Sequence, residues 1–360
     1  MDFSLLLFGL FALIYLGMLL YFANMQELAR VQAAAKPLSA DQDKSRYQTE
    51  TLLRWMLYGI AGIIFVFGLL ILQVAVVPLP DTGTNVNLPQ VELVPALVYF
   101  AISTLAAFVS VRLVASPNLR GRIKRLTGAG SSYLPESYLH LTAMVLALAF
   151  VAIIIGQAVL SGGITGLAQD IQSEDIVAPG QMAFQAALFI VIALLGVGAA
   201  LRRTLPETFK RLGLRLPTWS DITWGIGVGI LLYGVQVALV LLWYTISSAE
   251  IIAEQSAASD QFASLFNTLP LAFALSLSSA VSEEILFRGA LQPVFGLRLT
   301  SLFFALVHIQ YTFTPITLII FVVALGLGWL RQRQSTTASI VAHFTYNFVQ
   351  LALALLASGL

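Results

Sequence analysis

The sequence predicts an all-α protein, a polytopic bundle of about ten transmembrane helices, and two observations lead to this class. Only 10% of the 360 residues are charged, 19 Lys or Arg and 18 Asp or Glu, against about 25% in an ordinary soluble domain. Apolar residues make up 58% of the chain, and the mean hydropathy is +0.88. Because a soluble globule of this size could not hide so much apolar surface, soluble enzymes and nucleic-acid-binding proteins are excluded, and no nucleic-acid partner is expected.

The apolar residues fall into runs that suit membrane helices, which need about 20 residues to cross about 30 Å of hydrocarbon. The long runs are Phe3–Ala23, Trp55–Val77, Leu93–Ala115, Leu139–Leu160, Ala183–Leu201, Ile222–Tyr244, Pro270–Leu291 and Thr336–Ala357. Two shorter runs, Leu299–Phe313 and Pro315–Leu330, lie between the last two long runs. Pro315 predicts a tight turn between two short helices. The count is ten spans, or eight or nine if the short pair re-enters the membrane.

The distribution of basic residues predicts the orientation of the spans. All 19 Lys and Arg residues lie in or next to alternate connecting segments, and the remaining segments, 78–92, 161–182 and 245–268, contain none. Basic segments stay on the cytoplasmic side of a membrane. We therefore expect a multi-pass protein of the cell membrane, with basic loops in the cytoplasm and both termini outside.

Only two carboxylates fall inside a predicted span, Glu283 and Glu284, and ionisable groups in the membrane mark functional sites by default. Glu284 and Arg288 are four residues apart and can pair along one helix face, whereas Glu283 is turned about 100° away. Two adjacent carboxylates in a low dielectric cannot both ionise cheaply. An arginine beside one of them leaves the other suited to acid–base chemistry.

Two later motifs bring histidines to a similar depth, and their helical spacing is four residues in each case. Phe304 precedes His308, and His343 precedes Asn347. At about 1.5 Å per residue, Glu283 and His343 lie roughly 10 Å from the inner ends of their spans, and His308 lies roughly 14 Å from its own. Three helices therefore bring a glutamate, two histidines and an asparagine to one level in the cytoplasmic half of the membrane.

This set of side chains is sufficient for hydrolysis of an amide. Glu283 and His308 could share a water and remove its proton, while a second histidine and Asn347 could donate hydrogen bonds to the resulting oxyanion. Glu283, His308 and His343 could instead hold a metal such as Zn, with water in the open fourth position. The residue pattern alone leaves both chemistries open.

The three motifs, Glu283-Glu284-x-x-x-Arg288, Phe304-x-x-x-His308 and His343-x-x-x-Asn347, resemble the ordered motifs of the CPBP (CAAX protease and bacteriocin-processing, or Abi) family. This family contains the type II CAAX prenyl endopeptidases. The resemblance covers about residues 265–355, and residues 212–217 are similar to the segment that often precedes the family core. It implies an intramembrane endopeptidase. The expected substrate is a peptide or protein, and a membrane-anchored one would suit such an enzyme.

The resemblance also implies the roles of the site residues. Glu283 and His308 would activate water, His343 and Asn347 would stabilise the oxyanion, and Glu284 and Arg288, with Phe304, would support them. The family is commonly labelled a metalloprotease family, whereas a metal-independent mechanism has been argued for its CAAX members. Because the chain has no His-Glu-x-x-His motif and no third strong ligand beyond one Glu and two His, we prefer the metal-free mechanism.

Two parts of the chain are expected. Residues 1–201 would form an N-terminal membrane module of about five spans with no recognised motif, and residues 202–360 would form the CPBP-like protease domain. Two alternatives stay open: a transporter or proton-coupled carrier, because buried Glu, His and Arg also build proton relays, and a non-catalytic immunity or scaffold protein on the same fold. Against transport, the chain has no internal repeat and its ionisable groups occupy one level.

Overall fold

The computed structural model describes residues 3–77, 91–127, 129–130, 132–161, 179–249, 252–253, 256, 268–308 and 315–357. Most of these residues are helical, and they contain no β-strand. Eight helical stretches among them are long and apolar enough to cross a membrane, one of them the continuous stretch Leu269–Leu306, and a shorter apolar helix covers Ala183–Val197. The predicted all-α transmembrane bundle is therefore confirmed, while the count of ten spans and the outside termini stay predictions.

In chain order the helices are α1 (Phe3–Ala35), α2 (Ala40–Val76), α3 (Leu93–Ala115), α4 (Pro117–Thr127), α5 (Tyr138–Leu160), α6 (Pro179–Val197), α7 (Leu205–Leu212), α8 (Trp219–Ile246), α9 (Leu269–Glu284), α10 (Gln292–Leu306), α11 (Ile316–Arg333) and α12 (Thr336–Ala357). A π-helical segment, Ile285–Leu291, joins α9 to α10. This segment holds part of the candidate site.

The first two helices extend beyond their apolar runs. α1 continues to Ala35, and α2 begins at Ala40 after a capping box in which Ser39 and Gln42 exchange hydrogen bonds of 3.3 and 3.0 Å. The polar residues between the two runs keep a good helix propensity. Hydropathy therefore predicted the apolar parts of these two helices but not the residues at which the helices end.

α1, α2, α3 and α5 pack around one apolar core, which includes Leu19, Leu53, Leu57, Leu113 and Val145. A second group of contacts joins α6 to the later helices, because Ala193 and Val197 pack against Leu212 and against Ile285 and Ala290 of the π-helical segment. α6 thus lies against the candidate site, although the sequence places it before residue 201. The division of the chain at that residue stays a prediction.

α8 and α12 approach closely because glycines face the contact. A Cβ at Gly225 would lie 2.6 Å from the Cβ of Val341, and one at Gly229 would lie 2.6 Å from the carbonyl oxygen of Ala342. Small residues allow this backbone approach in membrane bundles. The contact fixes α12, which carries His343.

The chain reverses direction at Gly296, whose φ of 79° and ψ of 170° interrupt the helix. After the turn, the ring of Phe304 lies 5.0 Å from that of Phe287, centroid to centroid, so the two arms run side by side. The predicted helix at Leu299–Phe313 is helical as far as Leu306, and residues 309–313 lie outside the described residues. The arm of residues 297–306 rises about 15 Å, half of the hydrocarbon thickness.

Candidate active site

The two adjacent carboxylates at the end of α9 face different partners, as their helical offset requires. Glu284 is fully buried and places Oε2 3.2 Å from Nε of Arg288 and Oε1 3.0 Å from Nδ1 of His343. Glu283 places Oε2 3.8 Å from Nε2 of His308. The candidate histidines are therefore divided between the two glutamates.

Arg288 is buried inside the protein, where it is only 1% exposed and its Nη1 donates to no described acceptor. Its contact with Glu284 is an ion pair, but the geometry of this contact does not meet the angular requirement of a hydrogen bond. Its Nη2 donates a hydrogen bond of 3.2 Å to the carbonyl of Ala324, and its guanidinium lies 4.3 Å from the ring centroid of Phe304. Such contacts offset the large desolvation cost of a buried charge.

Phe304 is the centre around which the charged groups assemble. Its ring lies under the guanidinium of Arg288, 4.5 Å from the ring of His308 and 5.9 Å from the ring of His343, centroid to centroid. One buried aromatic side chain therefore limits the movement of three polar ones. The sequence pattern predicted only a supporting role for it.

The geometry of His308 determines which of its nitrogens carries a proton. Nδ1 lies 2.7 Å from the carbonyl oxygen of Phe304, and a carbonyl can only accept, so Nδ1 donates. In the neutral ring, Nε2 then faces Glu283 with its lone pair. Oε2 of Glu283 is buried and accepts no hydrogen bond from any residue that the structure describes. The 3.8 Å gap between Oε2 of Glu283 and Nε2 of His308 exceeds a direct hydrogen bond.

Asn347 lies one turn beyond His343 on α12 and donates a hydrogen bond of 3.1 Å from Nδ2 to Oγ of Ser279. Its second N–H has no acceptor among the described residues. Ser279 was not among the residues that the sequence motifs predicted for the site. Its position four residues before Glu283, on the same helix face, is the signal that connects it to the site.

The described residues do not form a metal site of the expected kind. No group of three His, Asp or Glu side chains in the described ranges is arranged as metal ligands are. Of the expected ligands Glu283, His308 and His343, the last uses Nδ1 for its contact with Glu284, at 3.0 Å.

Comparison with known proteins adds one match to this geometry. No curated protein and no solved structure matches the chain. Residues 265–349 match the family model of the Rce1-like type II CAAX prenyl endopeptidases, a range that runs from α9 through most of α12 and contains every candidate site residue. The resemblance drawn from the three motifs is thereby confirmed: residues 265–349 are similar to the Rce1-like family of membrane proteases.

Proposed function

We propose that the protein is an intramembrane endopeptidase that hydrolyses a peptide bond near the cytoplasmic face of the cell membrane with a water activated by Glu283 and His308. The observation that carries the proposal is the pair of acceptors 3.8 Å apart, one of them a buried carboxylate oxygen that no described residue satisfies. Burying such an oxygen unpaired is costly. A water that donates one hydrogen to each acceptor removes the cost and is poised for attack.

The proposed reaction follows from this arrangement. As the water oxygen attacks the carbonyl carbon, its proton passes to the Glu283–His308 pair, which later delivers it to the leaving amine. Water with hydrogen bonds of about 2.8 Å can span acceptors separated by this gap. Phe304 keeps the His308 ring in place through its main-chain carbonyl, so the base needs no reorientation.

The oxyanion would form beside α12. Asn347 offers its second Nδ2 hydrogen, and His343 offers Nε2–H when its ring is an imidazolium, with Nδ1–H donated to Glu284. With that charge state the four charged groups balance, two carboxylates against Arg288 and His343. A neutral total suits a low-dielectric interior, where oxyanion donors are most effective.

The fold also supports a membrane-anchored peptide as substrate. Arg288, Phe287 and Phe304 are at most 2% exposed and close the site towards the turn at Gly296. Glu283 and His308 keep 17% and 19% of their side chains exposed. We infer that the substrate reaches this pair from within the bilayer. The basic loops would face the cytoplasm, and residues 1–201 would form a membrane module beside the protease domain.

Purified protein in detergent, incubated with quenched fluorescent peptides that carry a lipid anchor, tests this proposal. General acid–base groups typically contribute 10²–10⁴-fold, so we expect Glu283→Gln and His308→Ala each to lower kcat at least about a hundredfold. Ser278→Ala is the matched control, because the Ser278 hydroxyl bonds only within its own helix, to the carbonyl of Leu275. Undiminished cleavage by both site variants would sink the proposed mechanism, and transport of the peptide without cleavage would favour a carrier.

A further inference from the structure

The π-helical segment that carries Arg288 has main-chain carbonyls that lose one of their usual helical donors. The N–H of Gln292 bonds to the carbonyl of Phe287, five residues back, and so bypasses Arg288. The next residue is Pro293, which has no N–H to donate. The carbonyl of Arg288 thus lacks its π-type donor, and that of Gly289 lacks its α-type donor. Buried carbonyls without partners are costly, so donors must come from elsewhere.

Two arginines from other helices supply these donors. Arg211 of α7 donates from Nη1 to the carbonyl of Gly289, at 2.9 Å, and from Nη2 to that of Ala290, at 3.3 Å. Arg331 of α11 donates from Nε to the carbonyl of Arg288, at 3.3 Å. Three consecutive carbonyls of the segment are therefore capped by guanidinium groups. Burial lowers the pKa of Arg211 to about 10, which still leaves this side chain protonated and able to donate at neutral pH.

The backbone around these arginines is shaped for the contact. A Cβ at Gly289 would lie 3.1 Å from the carbonyl oxygen of Leu212, so α7 rests directly on the π-helical segment. Gly213 has a φ of +71° and lies where a Cβ would be 3.1 Å from Nη2 of Arg331. Thr336 ties the same turn to α12 by donating from Oγ1 to the carbonyl of Leu212, at 2.6 Å. α7 precedes the range matched by the family model, yet it is built into the support of the site.

We propose that Arg211 and Arg331 are positioning residues of the proposed protease: they hold the π-helical segment in register and thereby place Arg288 against Glu284. Glu284 in turn orients His343 through the 3.0 Å contact with Nδ1. The path runs from α7 and α11 through main-chain carbonyls to the oxyanion side of the site. π-Helical turns are rare and are concentrated at functional sites, where their register decides which side chains meet. The proposal rests on the proposed function, since it assigns a role within that reaction.

The test compares Arg211→Gln, Arg211→Lys and Arg331→Gln with the control Lys210→Gln, whose side chain is exposed on the same short helix. Each variant is assayed as purified full-length protein, and kcat and KM are expressed per folded molecule. A displacement of about 1 Å in a catalytic group can cost 10²-fold, so we expect Arg211→Gln to lower kcat about ten- to a hundredfold with KM nearly unchanged. Arg211→Lys keeps one charged donor and should recover part of the loss, whereas Lys210→Gln should match the wild type.

Amide hydrogen exchange of residues 285–291 supplies a readout that does not depend on activity. We expect faster exchange in this segment in Arg211→Gln and Arg331→Gln, and no change in Lys210→Gln. Wild-type kcat per folded molecule in Arg211→Gln, or unchanged exchange, would overturn the positioning role. Absence of cleavage by the wild-type protein, with exchange altered in the variants, would instead refute the proposed protease function while leaving the structural support intact.

Discussion

Replacing Arg288 by methionine probes the buried charge pair on which the candidate site is built. The change removes an ion pair of 3.2 Å with Glu284, a hydrogen bond of 3.2 Å to the carbonyl of Ala324 and a cation–π contact of 4.3 Å with Phe304. The carboxylate of Glu284, which is 0% exposed, would keep only His343 as a partner. Removing one partner of a buried pair typically costs 3–5 kcal/mol, and we expect a loss of free energy of unfolding of about that size.

A double-mutant cycle separates the pair from the surrounding packing. Glu284→Gln, Arg288→Met and the double variant would be unfolded reversibly in mixed micelles, with Arg298→Met as an exposed control expected to lie within about 0.5 kcal/mol of the wild type. Because the double variant no longer strands a charge, its loss should be smaller than the sum of the single losses by about 1–3 kcal/mol. Additive losses would refute the view that these two charges stabilise each other.

The remaining predictions concern the oxyanion side, the cofactor and the membrane packing. Asn347→Ala should lower kcat about 10²–10³-fold with little change in KM, the effect of removing one oxyanion donor, and steady-state kinetics on the anchored peptide would show a larger KM effect if Asn347 only bound substrate. Dialysis against a chelator should leave cleavage unchanged, since the described residues hold no three-ligand cluster, and activity restored by added Zn²⁺ would contradict this. Gly68→Leu should destabilise the bundle by more than about 1 kcal/mol, because a Cβ there would lie 1.8 Å from Oγ of Ser103. Gly62→Leu, which meets nothing within 4 Å, should be neutral in the same unfolding assay.

The sequence carried the features that depend on local spacing and on hydropathy. The membrane helices followed from runs of apolar residues, and the pairing of Glu284 with Arg288 followed from their separation of four on one helix. The divergence of Glu283 from its neighbour followed from the 100° helical offset. Because these features depend on local spacing and hydropathy, they could be predicted without knowledge of the tertiary contacts.

Other features depend on contacts between distant segments and were not predictable from spacing. The π register of Ile285–Leu291 depends on donors from Arg211 and Arg331, which lie more than forty residues away along the chain in one case and more than seventy in the other. Pro293 was visible in the sequence, but the arginines that replace its missing N–H could be recognised only in the fold. The extensions of α1 and α2 were not predicted for a different reason. Their polar residues favour a helix, although the apolar runs used for the prediction end before them.

The distribution of charge within the membrane also explains why one of the two glutamates, and not the other, is the better candidate for chemistry. Glu284 is surrounded by compensating groups: Arg288 balances its charge, and His343 occupies its second oxygen. A carboxylate that is held between a guanidinium and an imidazole is a poor base, because the nearby positive charge of Arg288 stabilises its ionised form. Oε2 of each glutamate is buried without a hydrogen bond from any described residue, but Oε2 of Glu284 lies 3.2 Å from the Arg288 guanidinium, whereas Oε2 of Glu283 faces Nε2 of His308 at 3.8 Å. A water that donates a hydrogen bond to Oε2 of Glu283 removes the cost of burying this oxygen without a partner. The same hydrogen bond would bind and polarise the water as the nucleophile.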